Sequence, residues 1–377
     1  MENKDGKFID ITTKTAPELS TVGMVNSAVW TDFNNDGNLD LVVAGEWMPI
    51  SIFENSGGVF VNKTKEYGLA ETSGWWNSIC PATYNEDGSA EYFLGNLGLN
   101  NSYNANLTSP LEIISRDFDN NGKSEPLLIM KYPDGYFPVA SRSQFISSFP
   151  QKAKTFFTYE SYAKTNADDL LKGLGTNDCV RIKSEMMANS VMNKYRDGKV
   201  SIKPLPNKCQ FSCIFGAFSY DFDGNNIQDL LYIGNFYPNN IDDGPYSSST
   251  GGLLSGDSSG NFIVYRGHEI GFNVHSDARA FSSLILGNQK RIFIVVSNND
   301  SLRLFAQVMC REKHIKLNPL DAYAVFEGND GKQYKQEFYY GSGYLSQSSR
   351  YLTIPQNCRA VRIYSYSGKE RIIPNSK

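Results

Sequence analysis

The sequence predicts an all-β protein, and three observations carry the prediction. Gly occurs 32 times in 377 residues among many Asn and Ser, which marks frequent tight turns. Apolar runs are short, as at residues 127 to 130, and stretches rich in Ala, Glu and Lys are few. A unit of strand, acidic loop and strand recurs along the chain. With 40% hydrophobic and 20% charged residues, the chain has enough apolar material to offset its conformational entropy and fold. The 36 basic and 40 acidic residues leave a net charge of −4, which offers no broad basic surface for nucleic acid. Nothing approaches the roughly 18 to 20 continuous apolar residues that a membrane-spanning helix requires.

The recurring loops read Asp-Phe-Asn-Asn-Asp-Gly-Asn-Leu-Asp at 32–40, Asp-Phe-Asp-Asn-Asn-Gly-Lys-Ser-Glu at 117–125 and Asp-Phe-Asp-Gly-Asn-Asn-Ile-Gln-Asp at 221–229. Each begins Asp-Phe and carries oxygen side chains at positions one, three, five and nine. A degenerate copy at 83–91 keeps Asn85, Asp87, Gly88 and Glu91 but has Thr83 in place of the first Asp. A short apolar strand follows, closed by Gly and a polar residue: Gly45-Glu46, Gly95-Asn96 and Gly234-Asn235. Continuous apolar runs of this length suit strands buried on both faces, as in the inner strands of propeller blades. The Gly-rich stretches 53–60 and 255–262 fit the outer hairpins of such blades.

Loop spacing is irregular, so an insertion precedes the last copy. Within about 142–175, Phe145, Ile146, Phe149, Phe156, Phe157, Tyr159, Tyr162, Ala163, Leu170 and Leu171 recur at helical offsets around Pro150, which predicts helices decorating one blade. Five or six blades are expected over residues 1–309. From residue 310 the acidic loops stop and short alternating strands take over, at 322–326, 337–340, 350–354 and 360–364, which predicts a small separate β domain over 310–377. The six Cys have no CxxC spacing and are expected as buried free thiols.

Calcium takes six to eight oxygens, which alternate side chains on a tight loop can supply. The candidate ligands are Asp32, Asn34, Asp36, Asp40 and the Asn38 carbonyl in the first loop. In the second they are Asp117, Asp119, Asn121, Glu125 and the Lys123 carbonyl, and in the third Asp221, Asp223, Asn225, Asp229 and the Ile227 carbonyl. Position twelve, a bidentate Glu in an EF-hand, is here Val43, Leu128 and Tyr232, so these are not EF-hands. Asp/Asn/Gly loops form turns without any metal. Three copies sharing four oxygen positions and an acidic ninth residue favour Ca2+ over turn chemistry alone, and an oxygen cage favours Ca2+ over Mg2+.

These residues make the chain resemble the FG-GAP, or VCBS, repeat family, with 215–217 and 27–30 standing where that family places its leading strand. The resemblance covers roughly 1–309 and implies a calcium-stabilised β-propeller of the integrin α-subunit type, usually extracellular and adhesive or ligand-binding. The stretches 340–350 and 361–369 resemble the ASPIC/UnbV domain found after such repeats, although Tyr364-Ser-Tyr-Ser-Gly stands where that domain has Trp-Pro and Asp-Gly. Surface proteins of this architecture are longer, which implies further blades before this chain; residues 6–12 resemble the end of a preceding blade. No export signal is present, as expected of a mature form or a fragment.

No catalytic signature stands out. The three His, His268, His275 and His314, form no H-E-x-x-H, and no nucleophile elbow, P-loop or dinucleotide fingerprint occurs. The pairs Asp242-Asp243 and Asp168-Asp169 read as a solvated loop and a helix surface, and Asp277 with Arg279 as a structural ion pair. Aromatic-polar loops carry the candidate ligand-binding residues Trp75, Trp76, Asn96, Tyr103, Tyr237 and Tyr246, suited to stacking on sugars or gripping a protein. Any one of these aromatics could instead pack between blades. The expected function is a non-catalytic, calcium-stabilised extracellular or cell-surface binding protein for a glycan or protein ligand, with a larger surface assembly as a further expected partner. A carbohydrate-active lyase or hydrolase using carboxylates or Tyr is the alternative, and an intracellular scaffold is a third class.

Overall fold

The computed structural model describes residues 1–82, 89–172, 178–225, 227–241, 243–257, 259–287, 289–308, 313–328, 331, 333–341, 343–355 and 358–374. Strand outweighs helix by 46% to 10%, so the all-β expectation holds, in the form of many small antiparallel sheets. The degenerate loop, apart from Glu91 and its neighbours, lies outside the described residues, as does Cys310.

Four sheets share one up-and-down order. The first runs Met24–Thr31, Asp40–Met48, Ser51–Ser56 and Val59–Asn62; the third runs Ile214–Tyr220, Asp229–Gly234, Gly252–Gly256 and Phe262–Arg266. The fourth has three strands, Ala278–Ile285, Arg291–Ser297 and Arg303–Ala306. The second is split, its first strands Ser78–Pro81 and Ala90–Gly95 pairing onward with Ser190–Lys194 and Val200–Pro204. The opening strands of the four sheets lie side by side in chain order. In the first three sheets the second strands are buried along most of their length, as continuous apolar runs require. Gly closes three of them because backbone passes there: a Cβ on Gly45, Gly95 or Gly234 would come within 1.9, 2.2 or 1.6 Å of the carbonyl oxygen of Met24, Ile214 or Cys213.

The five or six blades expected before residue 310 are not found, and no closed propeller is formed by these four sheets. The reason is that residues 96–189 are spent on a unit of a different kind. Between the second and third strands of the second sheet the chain builds a satellite sheet, ordered Gly135–Pro138, Glu125–Tyr132, Leu111–Arg116 and Val180–Ser184. The helical insertion is minor: Arg142–Ser148, Tyr159–Ala163 and Ala167–Leu171 are short helices capped by Ser141, Thr158 and Asn166. Phe145, Phe149, Phe156, Tyr162 and Leu170 form their common core with Ile114 and Leu127 of the satellite sheet. At the N-terminus, Glu2–Lys4 and Lys7–Ile9 pair only with each other, as an exposed hairpin.

The C-terminal residues form a four-stranded sheet, ordered Gln333–Glu337, Asp321–Gly328, Cys358–Ser365 and Glu370–Pro374, beside the pair Lys313–Lys316 and Tyr351–Ile354. It has its own core of Ala324, Phe326, Leu352, Val361 and Ile363. It also touches two other sheets. Ser349 donates through its backbone N–H to the Ser283 carbonyl of the fourth sheet (2.9 Å), and Arg291 Nη2 donates to Thr353 Oγ1 (2.9 Å). On the other side Thr31 Oγ1 of the first sheet donates to Glu337 Oε2 (2.8 Å).

Two outcomes follow from this packing. Trp76 is fully buried, its indole N–H donating to the Thr72 carbonyl, so Trp76→Ala is expected to cost about 3–5 kcal/mol in denaturant unfolding. Burial pushes the thiols of Cys80, Cys209 and Cys213 up to about 12, so a thiol reagent should leave all three unmodified in the native protein and reach them only in denaturant.

Candidate functional site

Over their described residues the three acidic loops turn in the same way. Position four is left-handed in each, with φ of 60° at Asn35, 58° at Asn120 and 81° at Gly224, and Gly37 and Gly122 repeat this at position six. Asn and Gly are the residues that adopt this conformation most readily, which is why the third loop can move its glycine to position four. Side chains at positions one, three and five then turn back on the loop. In the second loop Asp117 accepts the N–H groups of Asn121 and Gly122, Asp119 that of Asn121, and Asn121 Oδ1 that of Lys123. The third loop repeats this with Asp221, Asp223 and Asn225, and the first with Asp32, Asn34 and Asp36.

The Phe at position two and the acid at position nine act together. The rings of Phe33 and Phe118 are buried, and that of Phe222 packs against the core between the third and fourth sheets. Their N–H groups point the other way, donating to Asp40 (2.9 Å), Glu125 (2.8 Å) and Asp229 (2.8 Å). The second carboxylate oxygens of Asp40 and Asp229 accept from Asn55 N–H and Gly256 N–H across the sheet. Turn chemistry alone, as read from sequence, does not require an acid at position nine. The structure supplies such a requirement in backbone hydrogen bonds, so that position is not evidence for metal by itself.

Metal geometry distinguishes the loops. One oxygen each from Asp117, Asp119 and Glu125 lie within 4.8 Å of one another, and the same is true of Asp221, Asp223 and Asp229. Both groups could hold a metal ion, and with oxygen donors only they suit a hard cation. Burial pushes the Asp229 carboxyl up to about 6 despite its two N–H donors, with Asp223 adding like-charge repulsion; a cation would offset both. Among the described residues the first loop forms no such group. There Asp32 Oδ2 faces Lys335 Nζ of the C-terminal sheet at 3.0 Å. Asp36 Oδ2 accepts from Asn34, and the Asn38 amide also turns onto Asp36.

The candidate ligand-binding residues separate as well. Trp76 and Asn96 are fully buried. Asn96 braces backbone, donating to the Met186 carbonyl and accepting from Leu97 N–H, a role Asn235 repeats with Ser249 and Ser276. The sequence signal for both was the polar residue after the strand-closing Gly. Trp75 packs between Trp47 and Tyr103 at centroid distances of 5.4 and 5.3 Å, and Tyr246 belongs to the same cluster. Only Tyr237 is exposed, at 45%. It borders an open cleft of about 370 Å³ whose walls include His275, Asp277, Asn298, Asp300 and Arg303, which sequence reading did not assemble. Asp277 there is buried and paired with Arg279 (2.8 Å), as a structural ion pair.

Comparison with known families finds the FG-GAP-like repeat at residues 32–94, from the first acidic loop to the end of the strand after the degenerate one. The match supports an FG-GAP repeat protein and does not extend to the C-terminal residues. No curated protein matches the chain. Among the described residues no helix is long and apolar enough to cross a membrane.

The two roles of the loop carboxylates are separable. Asp229→Asn leaves one acceptor oxygen where two N–H groups need one each, and is expected to lower stability by about 1–3 kcal/mol even in EDTA. Asp119→Asn keeps its acceptor for Asn121 N–H on an exposed loop, and should fall within about 0.5 kcal/mol of the parent under the same conditions. Urea unfolding of both variants checks the contrast.

Proposed function

We propose that this chain is a non-catalytic, calcium-stabilised binding protein of the extracellular space or cell surface, built as a propeller-type array of blades and recognising a glycan or protein ligand. The observation that carries this reading is the pair of all-oxygen carboxylate groups, 117/119/125 and 221/223/229, on loops that turn in the same way. Cages of many protein oxygens favour Ca2+, whereas Mg2+ retains waters. Asn121 and Asn225, and the carbonyls of Lys123 and Ile227, are the further donors such cages would draw on. Location outside the cell is supported by the FG-GAP-like repeat, which is typical of extracellular proteins, and by the abundance of calcium there. Side-by-side opening strands support the propeller reading, and the separate core of 313–374 supports a C-terminal domain. For the ligand face, the exposed Tyr237 ring beside amide, carboxylate and guanidinium groups has the chemistry that holds sugars or a polar protein surface.

Thermal unfolding after EDTA dialysis, repeated across calcium and magnesium titrations, tests the metal. A calcium-selective rise in Tm is expected, reduced in Asp119→Asn and Asp221→Asn; a flat response would return the loops to simple turns. The gain should also depend on pH. Asp229 is ionised above about 3.8 when unfolded but holds its proton to about 6 when folded without metal, so the metal-free fold loses stability from this group as pH rises through that window. Calcium, which binds the ionised form, is therefore expected to raise Tm more at pH 7 than at pH 5. For the ligand, saturable binding on a glycan or protein panel, weakened by Tyr237→Ala, is expected; release of products from a polysaccharide would replace the binding reading with a carbohydrate-active enzyme.

A further inference from the structure

The first acidic loop follows the pattern of the other two but carries Asn34 at position three and Asp36 at position five, and its three carboxylates do not gather into a metal-sized group. The C-terminal sheet also packs against this loop. Its edge strand Gln333–Glu337 brings Lys335 and Glu337, two residues apart and so on one face, against the loop. Lys335 Nζ lies 3.0 Å from Asp32 Oδ2 and 3.2 Å from Glu337 Oε1, with the Tyr323 ring centroid 4.9 Å away. Glu337 in turn accepts from Thr31 Oγ1 (2.8 Å) and the Asp32 N–H (3.3 Å). Lys194 of the second sheet is buried nearby, its Nζ 5.9 Å from the centroid of the Phe33 ring. A divalent cation placed in this loop would sit beside the Lys335 ammonium, whose repulsion opposes its entry.

We propose that the Lys335 ammonium takes the cation position of the first acidic loop, so that this loop binds no metal and instead fastens the C-terminal sheet to the first sheet. The inference rests on the reading of these loops as cation sites. The pair is only partly exposed, at 26% for Lys335 and 11% for Asp32, so its loss leaves desolvated carboxylates without their counter-charge. The C-terminal sheet, which also hydrogen-bonds the fourth sheet, is thereby held to both ends of the four-sheet array.

Calcium content of the full chain, measured by elemental analysis after dialysis at millimolar calcium, and hydrogen exchange of residues 333–337 in EDTA test the proposal together. Asp117→Asn and Asp221→Asn are each expected to lose one calcium per chain, while Asp32→Asn and the exposed Asp36→Asn lose none. Should Asp32→Asn fail to fold, Asp36→Asn decides this arm alone. Lys335→Met is expected to speed exchange at 333–337 by about tenfold, and Lys335→Arg to restore most of the protection. Loss of one calcium in either first-loop variant, or unchanged exchange in Lys335→Met, overturns the proposal. A chain that binds no calcium at all would defeat the calcium reading of the other loops, while the exchange measurement in EDTA would still decide whether Lys335 is the fastening.

Discussion

The hydrogen bond from the position-two N–H to the position-nine carboxylate is the constraint on which the repeated unit depends. In the first and third sheets the strand that follows the loop is buried on both faces, so the acid at its head is cut off from water and must be satisfied by backbone. Asp40 and Asp229 meet that demand twice. One oxygen closes the loop onto Phe33 or Phe222, and the other reaches the third strand at Asn55 or Gly256. A single side chain therefore fixes the loop, the start of the second strand and the register of the third. The Phe ring attached to the same N–H is driven into the core in the opposite direction, so the Asp-Phe pair is read by packing as much as by charge.

Backbone donors and a cation do not compete outright for these oxygens. An ionised carboxylate accepts at about four sites, and the loop N–H groups use one or two of them. In the second and third loops one oxygen from each of three carboxylates lies within 4.8 Å of the others, and the repulsion between them is what a cation would relieve. In the first loop the Lys335 ammonium brings a positive charge to Asp32 from within the chain. Similar loops thus reach different electrostatic outcomes, through the exchange of Asp and Asn between positions three and five and through what the rest of the molecule brings against them.

That difference marks the limit of what the sequence made legible. The strands after each loop could be read, because a continuous apolar run such as 229–234 has few alternatives to a doubly buried strand. The closing glycines were visible as a pattern, though their cause, carbonyls passing within 2.2 Å of where a Cβ would stand, belongs to three dimensions. Three C-terminal strands, at 321–328, 351–354 and 358–365, lie close to their expected places, since 321–328 and 358–365 alternate with period two; the one expected at 337–340 lies at 333–337, and those at 313–316 and 370–374 were not read. The split second sheet was not legible, because nothing in 90–95 announces that its partner lies at 190–194. Asn96 looked like a surface residue because Asn usually is one; its burial follows from backbone groups of Met186 and Leu97 that need partners. Lys335 gave no signal, since a lysine on an edge strand is the commonest protection against unwanted pairing.

The two ends of the inserted unit meet where Asn96 N–H donates to Asn189 Oδ1 (2.7 Å). Asn189 is itself held by Gln210, Cys209 and Ser212, so the neck is pinned by a buried amide network and not by the inserted residues. This has a kinetic side. Strand 90–95 cannot find its partner until the whole of 96–189 has been synthesised and its ends drawn together, a non-local closure of the kind that slows folding. Loop-closure entropy grows only with the logarithm of length, so the neck is nearly indifferent to how long the excursion is. Evolution is then free to lengthen, shorten or replace the satellite while the second sheet keeps its register, which makes this neck the natural place for the fold to acquire a new appendage.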